Sequence, residues 1–190
     1  MCLVKIETGD LDIVQDIAYA GTGCIGGRPV YARAELYLIQ PAVDALAKAA
    51  ALAGAQDLML RVYDGYRPGR VQQYFWSLVS DSRYVADPEQ GSPHTRGIAV
   101  DLTLQTRDGG VLEMGTGFDA LDERSHAGNM DIAAAAQRNR HILTGIMVAA
   151  GWVHNPFEWW HFNLPDPASF PLIEDGEIAD RMLVDWLKDA

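Results

Sequence analysis

Cysteine is scarce: only Cys2 and Cys24 occur among 190 residues. That excludes a disulfide-stapled secreted scaffold and makes a reduced, cytoplasmic protein the simpler expectation. Basic residues are outnumbered, with 15 Lys and Arg against 26 Asp and Glu and a net charge of −11. Such a surface repels phosphates, which excludes a nucleic-acid partner. No apolar stretch is long enough to span a bilayer, and the opening Met-Cys-Leu-Val-Lys-Ile-Glu has no basic region followed by an apolar run. Neither a membrane span nor a secretory leader is expected. Gly21, Gly23, Gly26 and Gly27 are not followed by the Lys-Ser/Thr of a phosphate loop. The helical motif with two His flanking a Glu is also missing, which excludes a thermolysin-like site.

What is present reads as one soluble domain over 1–190, with 48% apolar and 22% charged residues. Residues 1–40 read as loops with short strands, one near Ala34–Gln40. Pro41–Ala53 has helical spacing, with Pro41 suited to the first turn and Gly54 to the exit. Leu58, Leu60 and Val62 alternate with Met59, Arg61 and Tyr63, as in a strand. Arg70–Ser80 returns to helical spacing. Asp108-Gly109-Gly110 marks a turn, so the strand before it and the segment after it are expected to form a hairpin. Met114–Asn129 reads as a glycine-punctuated loop near the site. Asp131–Ala150 is the longest predicted helix, ended by Gly151. A strand begins at Trp152-Val153, breaks at Asn155-Pro156 and resumes over Trp160–Leu164. One short amphipathic helix is expected over Glu177–Lys188.

The chemistry gathers on Ser92-Pro93-His94-Thr95-Arg96-Gly97-Ile98-Ala99-Val100-Asp101. After Gly97, Ile98, Val100, Leu102 and Leu104 point one way, and Ala99, Asp101 and Thr103 point the other. Asp101 therefore stands opposite an aliphatic stripe, among small neighbours. Pro93 and Gly97 shape a turn that can fold His94 back over the same face. A second cluster, Glu158-Trp159-Trp160-His161-Phe162, brings another carboxylate and another imidazole. Two His and one Asp suit zinc with an open fourth position, leaving Glu158 free to act as a base. In a plain strand Glu158 and His161 face opposite ways, so a bend near Glu158 is needed to bring both inward. Trp159 and Trp160 read as core or pocket wall. Arg67, held between Tyr66 and Pro68 after a strand, suits a fixed cation aimed into a cleft. His126, His141 and His154 read as ordinary histidines.

These residues resemble a family. The segment from Ser92 to Asp101 is similar to the SxHxxGxAxD signature of the zinc D,D-peptidases, and Glu158-Trp159-Trp160-His161 resembles their ExxH element. Asp16-Ile-Ala-Tyr19-Ala, Tyr66-Arg67-Pro68, Glu113-Met-Gly-Thr-Gly-Phe-Asp119 and Ser125-His126 resemble, in order, elements of the D-alanyl-D-alanine dipeptidase subfamily. The resemblance covers roughly residues 10–165 and leaves the tail, about 166–190, unmatched. It departs at Cys24-Ile25, where Asn-Phe is usual, and at Pro93, where a polar residue is usual. It implies an α+β fold with a central, mostly antiparallel sheet flanked by helices. It implies one Zn2+ on His94, Asp101 and His161, Glu158 as general base and acid, and Arg67 stabilising the oxyanion. It further implies that Ser92, Asp119 and Tyr19 hold the ends of a small dipeptide substrate. Asp119 suits the ammonium by charge, and Ser92 can donate to the carboxylate. Two other readings use the same residues: a D,D- or L,D-carboxypeptidase acting on peptidoglycan stem peptides, and a zinc-dependent peptide-binding module without turnover. Glu158 and Arg67 weigh against the module, since binding alone needs neither.

Overall fold

Alternating apolar residues build the central strands. The computed structural model describes residues 2–23 and 25–188, so Cys24 lies outside the described residues. In chain order the strands are β1 (Leu3–Ile6), β2 (Ile13–Gln15), β3 (Leu36–Ile39), β4 (Leu58–Asp64), β5 (Ala99–Thr106), β6 (Val153–His154) and β7 (His161–Asn163). The helices are α1 (Gln40–Gly54), α2 (Gly69–Leu78), α3 (Ala134–Ala150), α4 (Glu177–Met182) and α5 (Asp185–Lys188). The main sheet has the order β2-β4-β5-β7-β6, and only its β2–β4 pair is parallel. The fold is therefore the expected α+β arrangement around a mostly antiparallel sheet. β1 and β3 pair separately as an antiparallel ribbon.

α1 starts with Pro41 in its first turn and buries Ala42, Leu46, Ala49, Ala50 and Ala53. It packs against β4 and α3. α3 begins three residues later than the sequence suggests, and Gly151 ends it at φ 106°, a left-handed conformation natural to glycine. Val100, Leu102 and Leu104 of β5 enter the core, and Ala99, Asp101 and Thr103 on the other face are buried as well. β5 is thus enclosed on both sides, and the site face lies beneath loops.

Two expectations change. The turn after β5 forms, with Thr106 N–H accepted by Gly110 O at 2.9 Å, but the returning chain makes only one isolated bridge, Gln105 to Val111. Gly109 and Gly110 close the turn, and the following segment leaves the sheet instead of extending it. The single helix expected over Glu177–Lys188 is broken between α4 and α5. There Ala32 N–H donates to Met182 O at 2.6 Å and Val184 N–H to Val30 O at 3.2 Å. Pairing with the 30–32 segment satisfies backbone groups that a continuous helix would use itself. The tail without a motif is built into the fold: Met182, Leu183 and Leu187 are buried, and Asp175 accepts from Gly69 N–H and Arg70 N–H at 2.7 and 3.0 Å, capping α2. Among the described residues no helix is long and apolar enough to cross a membrane.

Candidate metal centre and cleft

Strand register lines up the central groups. Asp101 of β5 stands opposite His161 of β7 on one side and Asp64 of β4 on the other. The β4 pairing depends on an irregularity between Val62 and Asp64, which places Tyr63 and Asp64 against one residue of β5. Such a bulge re-aims the residues after it. Strict alternation would leave Asp64 with Leu60 and Val62, towards the core; the bulge turns it beside Asp101.

His94 reaches this row from the turn after Ser92. Ser92 Oγ accepts from His94 N–H at 3.2 Å, and Gly97 N–H donates to His94 O at 2.9 Å. Gly97 has φ 68°, and a Cβ there would stand 3.0 Å from Leu3 Cδ2 and 3.2 Å from Ile39 Cγ2, so both conformation and space call for glycine. The bend required before His161 also forms: its N–H donates to Glu158 O at 3.3 Å, and both side chains point inward.

The three candidate ligands converge. His94 Nε2 lies 3.1 Å from His161 Nδ1 and 3.3 Å from Asp101 Oδ2, and His161 Nδ1 lies 3.0 Å from Asp101 Oδ1. Gly65 O, which can only accept, sits 2.7 Å from His94 Nδ1. His94 therefore carries its proton on Nδ1 and presents the Nε2 lone pair to the cluster. Two imidazole nitrogens and a carboxylate facing one another out of water call for a positive centre between them. Their separations also match one face of a tetrahedron, whose edges are about 3.3 Å for bonds of about 2.0–2.1 Å. Burial would raise Asp101, but His94 and His161 outweigh it and hold its carboxyl well below the usual range. Burial pushes the His161 imidazole down, which keeps it neutral. An ionised Asp101 and a neutral His161 are what a metal ion needs of those two ligands.

Arg67 is the guanidinium that contacts these groups. Its Nε donates to Asp64 Oδ2 at 3.0 Å, one terminal nitrogen to Gln72 Oε1 at 3.1 Å, and the other to Asp101 Oδ2 at 3.3 Å and Tyr19 OH at 3.5 Å. Tyr31 OH also donates to Asp64, at 3.0 Å. All eight residues singled out in the sequence, Tyr19, Arg67, Ser92, His94, Asp101, Asp119, Glu158 and His161, line one cleft of about 160 Å³.

Carboxylates outnumber cations here. Asp64, Asp101, Asp119 and Glu158 gather around the buried Arg67, while Arg83 at the cleft wall is paired with Asp81. Glu158 Oε2 accepts from Asn155 Nδ2 at 2.7 Å. Burial first, then Asp101 and Asp119, push Glu158 well above the usual carboxylate range. Asp119 accepts from Tyr19 OH at 3.2 Å through Oδ1, while its buried Oδ2 has no hydrogen-bond partner. Burial and the nearby Asp101 raise its pKa to about 8.

That shift carries a stability consequence. From its ordinary value of 3.8 up to about 8, the folded protein holds a proton on Asp119 that the unfolded chain has released. The metal-free protein therefore loses stability from this group as pH rises through that window. Asp119→Asn removes the slope. The metal-free variant is expected to gain on the native protein with rising pH, by at most on the order of 5 kcal/mol. Urea denaturation at a series of pH values measures the gain; a pH-independent difference would mean that Asp119 is ionised throughout.

Comparison with known proteins shows which family the chain belongs to. Residues 3–183 match the model of the peptidase M15 family, described as D-Ala-D-Ala dipeptidase. The chain belongs to the peptidase M15 family. Its M15 relatives include a D-alanyl-D-alanine dipeptidase of Escherichia coli, 45% identical over 166 residues that span 87% of this chain and 85% of the relative. One from Enterococcus faecium is 34% identical over 175 residues, 80% of this chain and 85% of the relative. One from Streptomyces coelicolor is 32% identical over 195 residues, 84% and 93% of the two chains. The M15 match extends past the motifs at both ends and takes in most of the tail that sequence reasoning left unmatched.

Sequence reasoning missed three residues of this candidate site. Asp64 and Gln72 hold Arg67, and Asn155 holds Glu158. A signal existed for Asp64: a buried Arg demands a counter-ion, and Asp64 lies three residues before Arg67.

Proposed function

We propose that the chain is a zinc-dependent dipeptidase that hydrolyses D-alanyl-D-alanine or a similar free dipeptide. The observation that carries this reading is the buried donor face of His94, Asp101 and His161, set in one small cleft with Glu158 and the unpartnered Oδ2 of Asp119. The names of the relatives support the same substrate.

His94 Nε2, the Asp101 carboxylate and His161 Nδ1 would hold the zinc. When bound, zinc supplies Lewis acidity towards the scissile carbonyl and makes a water acidic near pH ~7. Glu158 takes the proton from the attacking water and returns it to the leaving amine. Asn155 fixes Oε2, which leaves Oε1 for the transfer. Arg67, clamped by Asp64 and Gln72, sets a positive charge where the carbonyl oxygen becomes negative. Asp119 Oδ2 accepts from the substrate ammonium. Tyr19 OH, between Arg67 and Asp119, orients that carboxylate. Ser92 Oγ, whose lone pair takes His94 N–H, donates its own proton to the substrate carboxylate.

We assign residues 1–190 to one peptidase domain, since the core draws on side chains from Ile6 to Leu187. D-Ala-D-Ala ties the activity to cell-wall peptidoglycan chemistry. The exposed free thiol of Cys2 supports a reducing compartment, and we assign the cytoplasm.

The test is the kcat/KM for D-Ala-D-Ala, N-acetyl-D-Ala-D-Ala and a D-Ala-terminated tripeptide. A blocked amino end brings no charge to Asp119, which then keeps its proton or stays unpaired and loses the ion pair that a free ammonium makes with it. The free dipeptide should be preferred by roughly 10²–10³-fold, the equivalent of the ~3–5 kcal/mol that breaking a buried charge pair costs. Equal hydrolysis of the acetylated compound would remove the dipeptidase reading and put the carboxypeptidase reading in its place.

A further inference from the structure

Arg140 is a buried cation without a carboxylate. It lies on α3, is 2% exposed, and makes no salt bridge among the described residues. Burial lowers its pKa only to about 10, so it stays charged at neutral pH. Its three hydrogen bonds all go to main-chain carbonyls. Nε donates to Met114 O at 2.7 Å, and the two terminal nitrogens donate to His126 O at 2.9 Å and Arg124 O at 2.8 Å. These acceptors stand at the two ends of the loop that carries Asp119. A planar fork can reach both ends at once, whereas an ammonium is a single point of contact.

The loop needs such a hold. Asp119 adopts φ 58°, a conformation that few L residues take unless the surroundings impose it. Inside the loop, Ser125 Oγ donates to Ala120 O, and Thr116 Oγ1 lies 3.1 Å from Ser125 Oγ. Trp159, next to Glu158, joins the same unit. Its Nε1 donates to Thr116 Oγ1 at 2.8 Å, its backbone N–H to Ser125 O at 3.0 Å, and the Arg140 guanidinium lies 5.8 Å from the centre of its ring. The sequence suggests a glycine-punctuated loop near the site; the observed loop is pinned at both ends and to the Glu158 segment.

We propose that Arg140 is a positioning residue for recognition of the substrate's amino end: it fixes the Asp119 loop and ties it to the segment carrying Glu158. This inference rests on the proposed dipeptidase reading. Arg140 does not line the cleft and acts through the loop that carries Asp119.

Arg140→Lys, Asp119→Asn and the double variant test it, each assayed for zinc content and for kcat and KM on D-Ala-D-Ala and N-acetyl-D-Ala-D-Ala. Arg140→Lys keeps the charge and loses the span. It should retain zinc and raise KM for the free dipeptide by roughly 10-fold or more, the scale of a sub-ångström to 1 Å misplacement. Its preference for the free over the acetylated substrate should fall towards that of Asp119→Asn. In the Asp119→Asn background the same change should add less than about twofold, because coupled residues are not additive. A loss of stability alone would lower both substrates equally and would multiply with Asp119→Asn; either result overturns the inference. If Arg140→Lys does not fold, Asn139→Ala replaces it. That variant releases only the Asn139 Nδ2 bond to Glu113 O, at 2.9 Å, and should move the same ratio by roughly two- to threefold on the scale of one neutral hydrogen bond; an unchanged ratio overturns the inference. A native enzyme that cuts both substrates alike removes the dipeptidase reading and this inference with it. A native enzyme that discriminates, beside an Arg140→Lys variant that discriminates equally, removes the inference alone.

Discussion

Glu158→Gln is expected to keep its zinc and lose turnover by about 10²–10⁴-fold, the usual worth of general-base catalysis. The amide preserves the shape of the side chain and can still meet Asn155, which holds one oxygen at 2.7 Å. What it cannot do is accept and return a proton. Glu158 is not among the three converging donors, and its Oε2 lies 4.0 Å from His161 Nδ1, so the donor set survives the change. The amide also removes one buried acid from a cleft crowded with carboxylates, so the metal-free fold should not be weakened. Single-turnover hydrolysis of D-Ala-D-Ala with parallel zinc analysis measures both effects. A variant with a near-native rate would show that another group moves the proton.

His94→Ala, Asp101→Ala and His161→Ala are each expected to lose zinc and, with it, essentially all hydrolysis. Each removes one corner of the donor face, and two remaining protein ligands do not make a zinc site. The three differ in their cost to the fold. His94→Ala frees Gly65 O, which it bonds at 2.7 Å, and loosens the turn carrying Ser92. Asp101→Ala removes one of the two carboxylates that neutralise Arg67 but leaves Asp64 on its Nε. Its apoprotein should therefore fold. His161→Ala leaves Asp101 with His94 and Arg67 as partners. Elemental analysis of the purified variants decides the assignment: full zinc occupancy in any two of them would contradict it.

Much of this site was legible because it follows from local rules. Alternation after Gly97 put Asp101 opposite the aliphatic stripe, and Pro93 with Gly97 shaped a turn able to return His94 to the same face. The inward placement of both Glu158 and His161 demanded a bend, and the bend is there. Asp64 was hidden because it depends on a bulge. Period-2 reasoning assigns it to the core face with Leu60 and Val62, and only the two-against-one pairing with β5 sends it to the site. Arg140 was hidden for another reason. Arg140 stands with Gln137, Arg138 and Asn139 in a polar first half of α3 that reads as solvated, and its acceptors are carbonyls that no side-chain pattern announces. The tail carried no motif because its work is done by backbone pairing with residues 30–32 and by the Asp175 cap on α2. Those contacts depend on where the chain arrives in space.

Zinc titration into metal-free native protein, followed by hydrolysis of D-Ala-D-Ala, tests the central claim most directly. The account predicts no activity before addition and a linear rise that reaches its plateau at one zinc per chain. Hydrolysis by the metal-free protein, or a plateau at a different stoichiometry, would contradict it.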